Sequence, residues 1–331
     1  EFKIYRNEPE NPNSLSYNYV KVIYEDSAGV LWIGTYGAGL DKFNRETDQF
    51  THYMSVANDS NSLSNNFVNS IYEDQSRMLW IGTEDGLNKF DPKNECFIRY
   101  KADSNNPNSL SDNKVTSIYE DRRGVLWVGT ENGLNSFDRE KEQFTRYKHD
   151  PSDLTSLSSN LVRSVYEDRS GGLWIGTENG LNKFDPRNKR FIRYKANSSD
   201  PKSLSNNFVY VIYEDRSGEL WVGTLDGLNR FDREKEQFTR YKHKPNDPTS
   251  LNNSEILSIF EDRSGILWIG TCAGLNKFDR TEETFSYYME KDGLPNDLIY
   301  DILEDNNNNL WLSTNKGLSK FNPQTEEFKN Y

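Results

Sequence analysis

Val162–Asp185 reads V-R-S-V-Y-E-D-R-S-G-G-L-W-I-G-T-E-N-G-L-N-K-F-D, and R-F-I-R-Y follows at Arg190–Tyr194. Four short β-rich runs with turn chemistry between them are legible in this stretch. Val162–Tyr166 is the first, and the turn after it carries Glu167-Asp168 and ends at Gly171. Leu173–Thr177 is the second, closed by Asn179-Gly180, a strong hairpin signal. Leu181–Phe184 is the third; Asp185-Pro186 then leads to Phe191–Tyr194, the fourth. The phrase recurs along the whole chain. Its tryptophan falls at 32, 80, 127, 174, 221, 268 and 311, at spacings of 48, 47, 47, 47, 47 and 43. No boundary interrupts the seven copies, so residues 1–331 are expected to form a single domain.

Four strands every 47 residues, seven times over, predict an all-β fold: a seven-bladed β-propeller of four-stranded antiparallel blades. One blade alone cannot bury both faces, whereas seven packed in a ring can. The first run accordingly carries apolar residues on both faces, such as Val162 and Val165. The fourth run is rich in Lys, Arg and Glu, as befits an outer edge where charge discourages edge-to-edge pairing. No unit shows apolar residues at helical spacing over ten or more positions, which excludes a helical solenoid. Phe2–Arg6 reads as an extra outer strand, and Glu327–Tyr331 is another fourth run. Either could complete the seventh blade: local connection favours the second, closure of the ring by the first terminus favours the other.

The copies also differ. Asn88–Asn113 closely matches Asn182–Asn207, and Arg139–Leu157 matches Arg233–Leu251, each pair offset by 94 residues. Units two and three therefore look like a duplicate of four and five. The turn glycine is replaced by Arg77 in unit two and Asn308 in unit seven. If that position needs a positive φ, Asn tolerates it and Arg costs roughly 1–2 kcal/mol. Unit one has an extra residue in its second turn, Tyr36-Gly37-Ala38-Gly39.

Composition narrows the function. A net charge of −12 makes a nucleic-acid or anionic-membrane binder a poor candidate, because phosphate contacts need a basic face. The mean hydropathy of −0.90 is near that of disordered chains, but aromatics make up 13% of residues, so many loops are expected around an aromatic core. No apolar run approaches the roughly 18 residues of a membrane span, so this segment is expected to be soluble, with no membrane contact. The sequence does not begin with Met and has no basic-then-apolar leader; a targeting segment is expected outside this stretch. Cys96 and Cys272 are too few for a disulfide framework and are expected on different levels of distant blades.

Most chemistry-bearing residues have a structural reading. The tryptophans could stack on sugar rings, but an identical position in every unit points to packing between blades. The Glu-Asp pairs, such as Glu73-Asp74 and Glu261-Asp262, could serve as acid and base or hold a metal. Their recurrence beside every turn points instead to Asp accepting exposed N–H groups. His52, His149 and His243 all lie in or just past outer strands. No nucleophile elbow, phosphate loop, calcium loop or zinc-ligand spacing occurs, so no catalytic residue, metal or cofactor is expected.

The phrase E-D-x-x-G-x-L-W-[IV]-G-T-x-x-G-L-x-[KR]-F-[DN] resembles the two-component regulator propeller repeat, and the resemblance covers nearly the whole chain. Its Asp and Gly are also similar to the Asp-box turn of other propellers, with one more residue between them. The resemblance implies a sensor propeller from the extracytoplasmic, periplasmic part of a bacterial signal-transduction protein. It also implies ligand sensing, with carbohydrate as the first expectation, and neighbouring signalling domains in a longer parent chain. A polysaccharide or streptogramin lyase is a third reading: streptogramin lyase is similar in repeat style, but that enzyme uses a histidine and a metal near its channel mouth, and no inner-strand histidine exists here, which counts against it. A scaffold or protein-interaction propeller is the alternative, favoured by the 94-residue duplication.

What varies between units marks the candidate binding site. After the first Val or Ile of run one stand Lys21, Asn69, Thr116, Arg163, Tyr210, Leu257 and Tyr300. Before it stand Tyr19, Phe67, Lys114, Leu161, Phe208, Glu255 and Leu298. By analogy with other propellers, these positions and the second turn share one face, at the mouth of the central channel. Aromatics there supply apolar faces, and charged groups fix the orientation of a polar small molecule such as an oligosaccharide. The candidate ligand-binding residues are Tyr19, Lys21, Tyr36, Phe67, Arg163, Phe208, Tyr210, Asp226, Tyr300 and Lys316.

Overall fold

A computed structural model describes residues 6–47 and 49–330, with side chains up to 327. It contains seven four-stranded antiparallel sheets, each with its strands side by side in chain order. These are the blades of a β-propeller, and no α-helix occurs among the described residues. The only helical turn there is a short 3₁₀ segment at Glu290–Asp292. No helix is long and apolar enough to cross a membrane. The chain divides into two compact units, Tyr5–Glu167 and Asp168–Tyr331. The first holds blades one to three and Val162–Glu167, the first strand of blade four; the second holds the rest.

The strands run slightly longer than the sequence runs. Blade four is Val162–Glu167, Leu173–Thr177, Gly180–Asp185 and Arg190–Tyr194. Its second hairpin pairs Thr177 with Gly180, so Glu178 and Asn179 span the turn and Gly180 closes it at φ 124°. That positive φ favours glycine, and the N–H of Gly180 donates to the carbonyl of Asn207 in the next blade, 2.7 Å away. Blade seven takes Glu327–Asn330 as its fourth strand, which resolves that question for the local connection. The extra outer strand expected at Phe2–Arg6 falls, but for Arg6, outside the described residues.

Packing between blades follows the tryptophans. Trp80, Trp174, Trp221 and Trp268 have no exposed surface, and Trp32 and Trp127 almost none. Trp311 is partly exposed. In blades one, two, four, five and six the indole lies beside its own blade's fourth-strand tyrosine and the third-strand phenylalanine of the next blade. Trp32 is 6.0 Å from Tyr53 and 5.3 Å from Phe90; Trp221 is 5.9 Å from Tyr241 and 5.4 Å from Phe278. These tilted tyrosine and edge-on phenylalanine contacts carry the large apolar area that a half-polar chain needs.

The Glu-Asp pair is a two-sided clamp. The Asp works within its blade: Asp168 Oδ1 accepts the N–H groups of Ser170 and Gly172, and Oδ2 accepts the indole N–H of Trp174 at 2.7 Å. Burial alone would raise its pKa, but the bonds from Ser170, Trp174 and Arg233 outweigh it and hold Asp168 at about 2. The Glu works between blades: Glu120 accepts the N–H of Gln75, and Glu214 that of Arg169. In blades three, five and six the arginine after the third strand bridges the Glu of its own blade and the Asp of the blade before. Arg139 reaches Asp74 and Glu120, and Arg280 reaches Asp215 and Glu261. The turn glycine does need a left-handed backbone: Gly171 has φ 81°, and Arg77 and Asn308 hold 61° and 60° in its place.

Candidate functional site

The residue that varies after the first Val or Ile of run one is a β-bulge. In blade two Val68 pairs with Thr83 and Ser70 with Gly82, which leaves Asn69 out of the ladder. The same register shift sets Lys21, Thr116, Tyr210 and Leu257 apart in their blades. A bulged residue has no ladder partner to satisfy, so its side chain is free to differ from copy to copy, and bulges commonly re-aim side chains at functional sites. Several of these side chains reach the next blade: Asn69 Nδ2 donates to the carbonyl of Val115, Thr116 Oγ1 to that of Val162 and the Tyr210 hydroxyl to Glu255.

The second turn lies against the residue before run one, as the sequence reading expects. The N–H groups of Tyr36, Glu84, Glu131 and Leu225 donate to the carbonyls of Tyr19, Phe67, Lys114 and Phe208. In these four blades the two sets of variable positions are thus joined by one backbone hydrogen bond.

In the first unit this brings three of the expected residues together. The rings of Tyr19 and Tyr36 are 5.2 Å apart, and Tyr36 meets Phe67 edge-on at 4.7 Å. The extra residue in blade one's turn makes that possible. Gly37 at φ 146° and Gly39 at φ 88° both donate N–H to the carbonyl of Asn66, which pins the turn to blade two. A β-carbon on Gly39 would stand 2.3 Å from the carbonyl oxygen of Tyr53, so no other residue fits. Tyr17, unnoticed in the sequence reading, extends the group: a β-carbon on Gly37 would lie 3.4 Å from its ring. Tyr17 is 46% exposed and Phe67 39%, which is unusual for such large apolar groups in clusters.

Beside this aromatic corner lies a charged network. Lys114 Nζ sits 2.9 Å from Glu84 and 3.0 Å from Glu131, and Asn69 Nδ2 donates to Glu84 as well. Burial works against the charge of Lys114, but the two carboxylates overcome it and raise its pKa. Lys21 stands at blade one's bulge, and Arg163 occupies the corresponding position at the start of Val162–Glu167.

The second unit gathers fewer of the expected residues. Phe208 and Tyr210 are 4.7 Å apart, and the Tyr210 hydroxyl donates to Glu255 at 3.0 Å. The same carboxylate receives the thiol of Cys272, and burial together with that carboxylate pushes the thiol up to about 12, so it is inert as a nucleophile at neutral pH. Asp226 pairs with Lys242, and Lys316 with Glu290. Tyr300 donates its backbone N–H to Ser313, just ahead of the strand Asp301–Glu304.

The histidines are structural. His149 and His243 hold the carbonyls of Leu157 and Leu251 through Nδ1, at equivalent places. His52 stands where Arg146 bridges loop carbonyls in blade three. Its Nδ1 faces the buried Asp41 at 2.7 Å and its Nε2 the carbonyl of Pro12 at 2.9 Å. Two acceptors on two ring nitrogens favour the doubly protonated ring, and the bond to Asp41 raises the pKa despite burial. A raised folded pKa stabilises the fold fully below the unfolded value of about 6.5 and is lost as pH climbs through the folded one. Melting temperature measured from pH 6 to 9 should therefore fall more steeply in the natural chain than in His52→Arg, whose charge does not titrate. Equal slopes would show that His52 does not carry the effect.

Both cysteines are free. Among the described residues, no three His, Cys, Asp or Glu are grouped to hold a metal ion.

Comparisons place this geometry. The solved extracellular domain of BT3049 from B. thetaiotaomicron, described as a hybrid two component system, is 28% identical over 96% of this chain with a TM-score of 0.78. This chain spans 41% of that one. A streptogramin B lyase is 13% identical, with 93% of this chain and 95% of that one covered and a TM-score of 0.69. PorZ of Porphyromonas gingivalis, a surface component of its type-IX secretion system, is 16% identical over 95% of this chain and 48% of its own, at 0.71. The last two share the fold alone. No curated protein sequence matches. The two component regulator propeller description matches at residues 14–37, 62–85, 109–132, 156–179, 203–226, 250–273 and 293–316. Those seven matches take in half the chain, one per blade across the Asp–Trp clamp, and the chain belongs to the two component regulator propeller family.

Proposed function

We propose that this propeller is the ligand-sensing part of a two-component regulator, placed outside the cytoplasm in its parent protein, and that it binds carbohydrate without catalysis. The observation that supports this is the bulge. Every blade keeps the same clamp, while the residues released from the ladder, and those hydrogen-bonded beside them, change from aromatic to charged to amide. Such a mixture suits a ligand with apolar faces and many hydroxyls. Binding would bias the neighbouring signalling domains of the parent chain.

A thermal-shift screen with neutral and acidic oligosaccharides tests this reading. A ligand that binds the folded state alone raises the melting temperature by mass action. At least one glycan class should do so, and a flat response across all of them would remove carbohydrate from the account. The scaffold reading draws on the 94-residue duplication. Light scattering would favour it over sensing if the chain assembled with rising concentration and bound no glycan.

A further inference from the structure

We infer that the aromatic corner of blades one and two is the saccharide subsite, and that it takes a neutral pyranose. This rests on the carbohydrate reading above and narrows it to one place and one ligand charge.

The seven copies serve as their own control. Tyr17 stands where other blades have Asn65, Asp112, Ser159, Asn206 and Asn253. Tyr36 stands where blades two to four have Glu84, Glu131 and Glu178 and blades five and six have Leu225 and Cys272, and Met54 where Lys101, Lys148, Lys195 and Lys242 stand and blade six has Met289. Blade one alone carries large apolar or aromatic residues at all three sites, and these converge. Tyr17 and Tyr36 flank Gly37, and the chain at Met54 runs 3.3 Å from a β-carbon placed on Gly39 of the same turn. Met54 is 48% exposed. Folding gains little from apolar groups left this open to water, whereas a ligand that covers them would gain.

The pyranose is chosen by what surrounds the rings. A sugar ring presents an apolar face of C–H groups and an edge of hydroxyls. The face suits Tyr19, Tyr36 and Phe67, whose turn is held rigid by the two glycine N–H bonds to Asn66. The edge suits Glu84, which hangs from the Phe67 carbonyl and is aligned by Asn69 and Lys114. A preorganised acceptor of this kind costs little to order on binding. Charge then selects among sugars. Glu84, Glu131 and Lys114 sum to one negative charge, Lys21 at the adjacent bulge balances it, and the whole chain carries −12. The charges named there therefore sum to zero, which leaves no net positive charge to favour a uronate or a sulfate.

Isothermal titration with cellohexaose, xylohexaose, mannohexaose and oligogalacturonate, on the whole chain, tests the inference. At least one neutral hexaose should bind, with oligogalacturonate weaker by about tenfold or more. Tyr36→Ala and Glu84→Gln should each weaken the neutral ligand by about tenfold, while Leu154→Ala, at an exposed loop residue outside the candidate site, stays within about twofold; Tyr210→Ala reports on the other aromatic pair. Melting curves of each variant separate lost binding from lost folding, and Glu84→Gln keeps the shape of the site. Preference for oligogalacturonate, or a loss confined to Tyr210→Ala, would overturn the subsite while leaving carbohydrate sensing in place. If no saccharide binds, the parent reading fails, and this one with it.

Discussion

Trp221→Ala is expected to lower the unfolding free energy by about 3–5 kcal/mol, the usual cost of deleting a large buried aromatic. The indole is fully buried between Tyr241 and Phe278, so its removal opens a cavity across the junction of blades five and six. It also strips Asp215 of the N–H it accepts at 2.8 Å and leaves a buried carboxylate short of a donor. Trp221→Phe should cost less, because it keeps an aromatic ring in the site and leaves a smaller cavity, though it too loses that bond. Urea midpoints of the two variants would show the order. A midpoint for Trp221→Ala within experimental error of the natural chain would mean that the indole is not part of the core.

Glu214→Ala tests the clamp between blades four and five, with an expected cost of about 2–3 kcal/mol. The carboxylate is almost wholly buried and accepts from the Arg169 N–H at 2.7 Å and the Arg233 guanidinium at 2.7 Å. Breaking a fully buried pair costs about 3–5 kcal/mol; Arg233 keeps 31% of its side chain exposed, so water recovers part of that. The double variant Glu214→Ala/Arg233→Ala should cost less than the sum of the two single changes, since no stranded guanidinium remains. Strict additivity would show that the two residues do not interact.

These two residues mark what can be read from a sequence and what cannot. Trp221 is legible because the period is short and every copy repeats the indole, so packing is the reading that treats all copies alike. The Asp of each turn is legible for a local reason: its N–H partners lie two and four residues ahead, as Ser170 and Gly172 do for Asp168. The Glu beside it is not. Its partner N–H lies 45 residues upstream, from Glu214 back to Arg169, and nothing local announces it. The varying positions stand out in the sequence, but the reason for their freedom is a register shift that only the paired strands reveal. Tyr17 and Met54 escape a comparison confined to the first run and second turn, although Tyr17 departs from its copies and Met54 from all but Met289. Asp41 and His52 depart together, from the Asn135 and Arg146 of blade three; they face one another at 2.7 Å on paired strands.

The account rests on the departures from the repeat, rather than the repeat, holding the ligand. The most direct test restores the repeat in blade one, with Tyr17→Asn, Tyr36→Glu and Met54→Lys in a single chain, and titrates it with the neutral hexasaccharide that binds the natural one. The urea midpoint should be unchanged and the affinity about tenfold lower or worse, equivalent to about 1.4 kcal/mol or more. A restored chain that binds as tightly as the natural one would contradict the account.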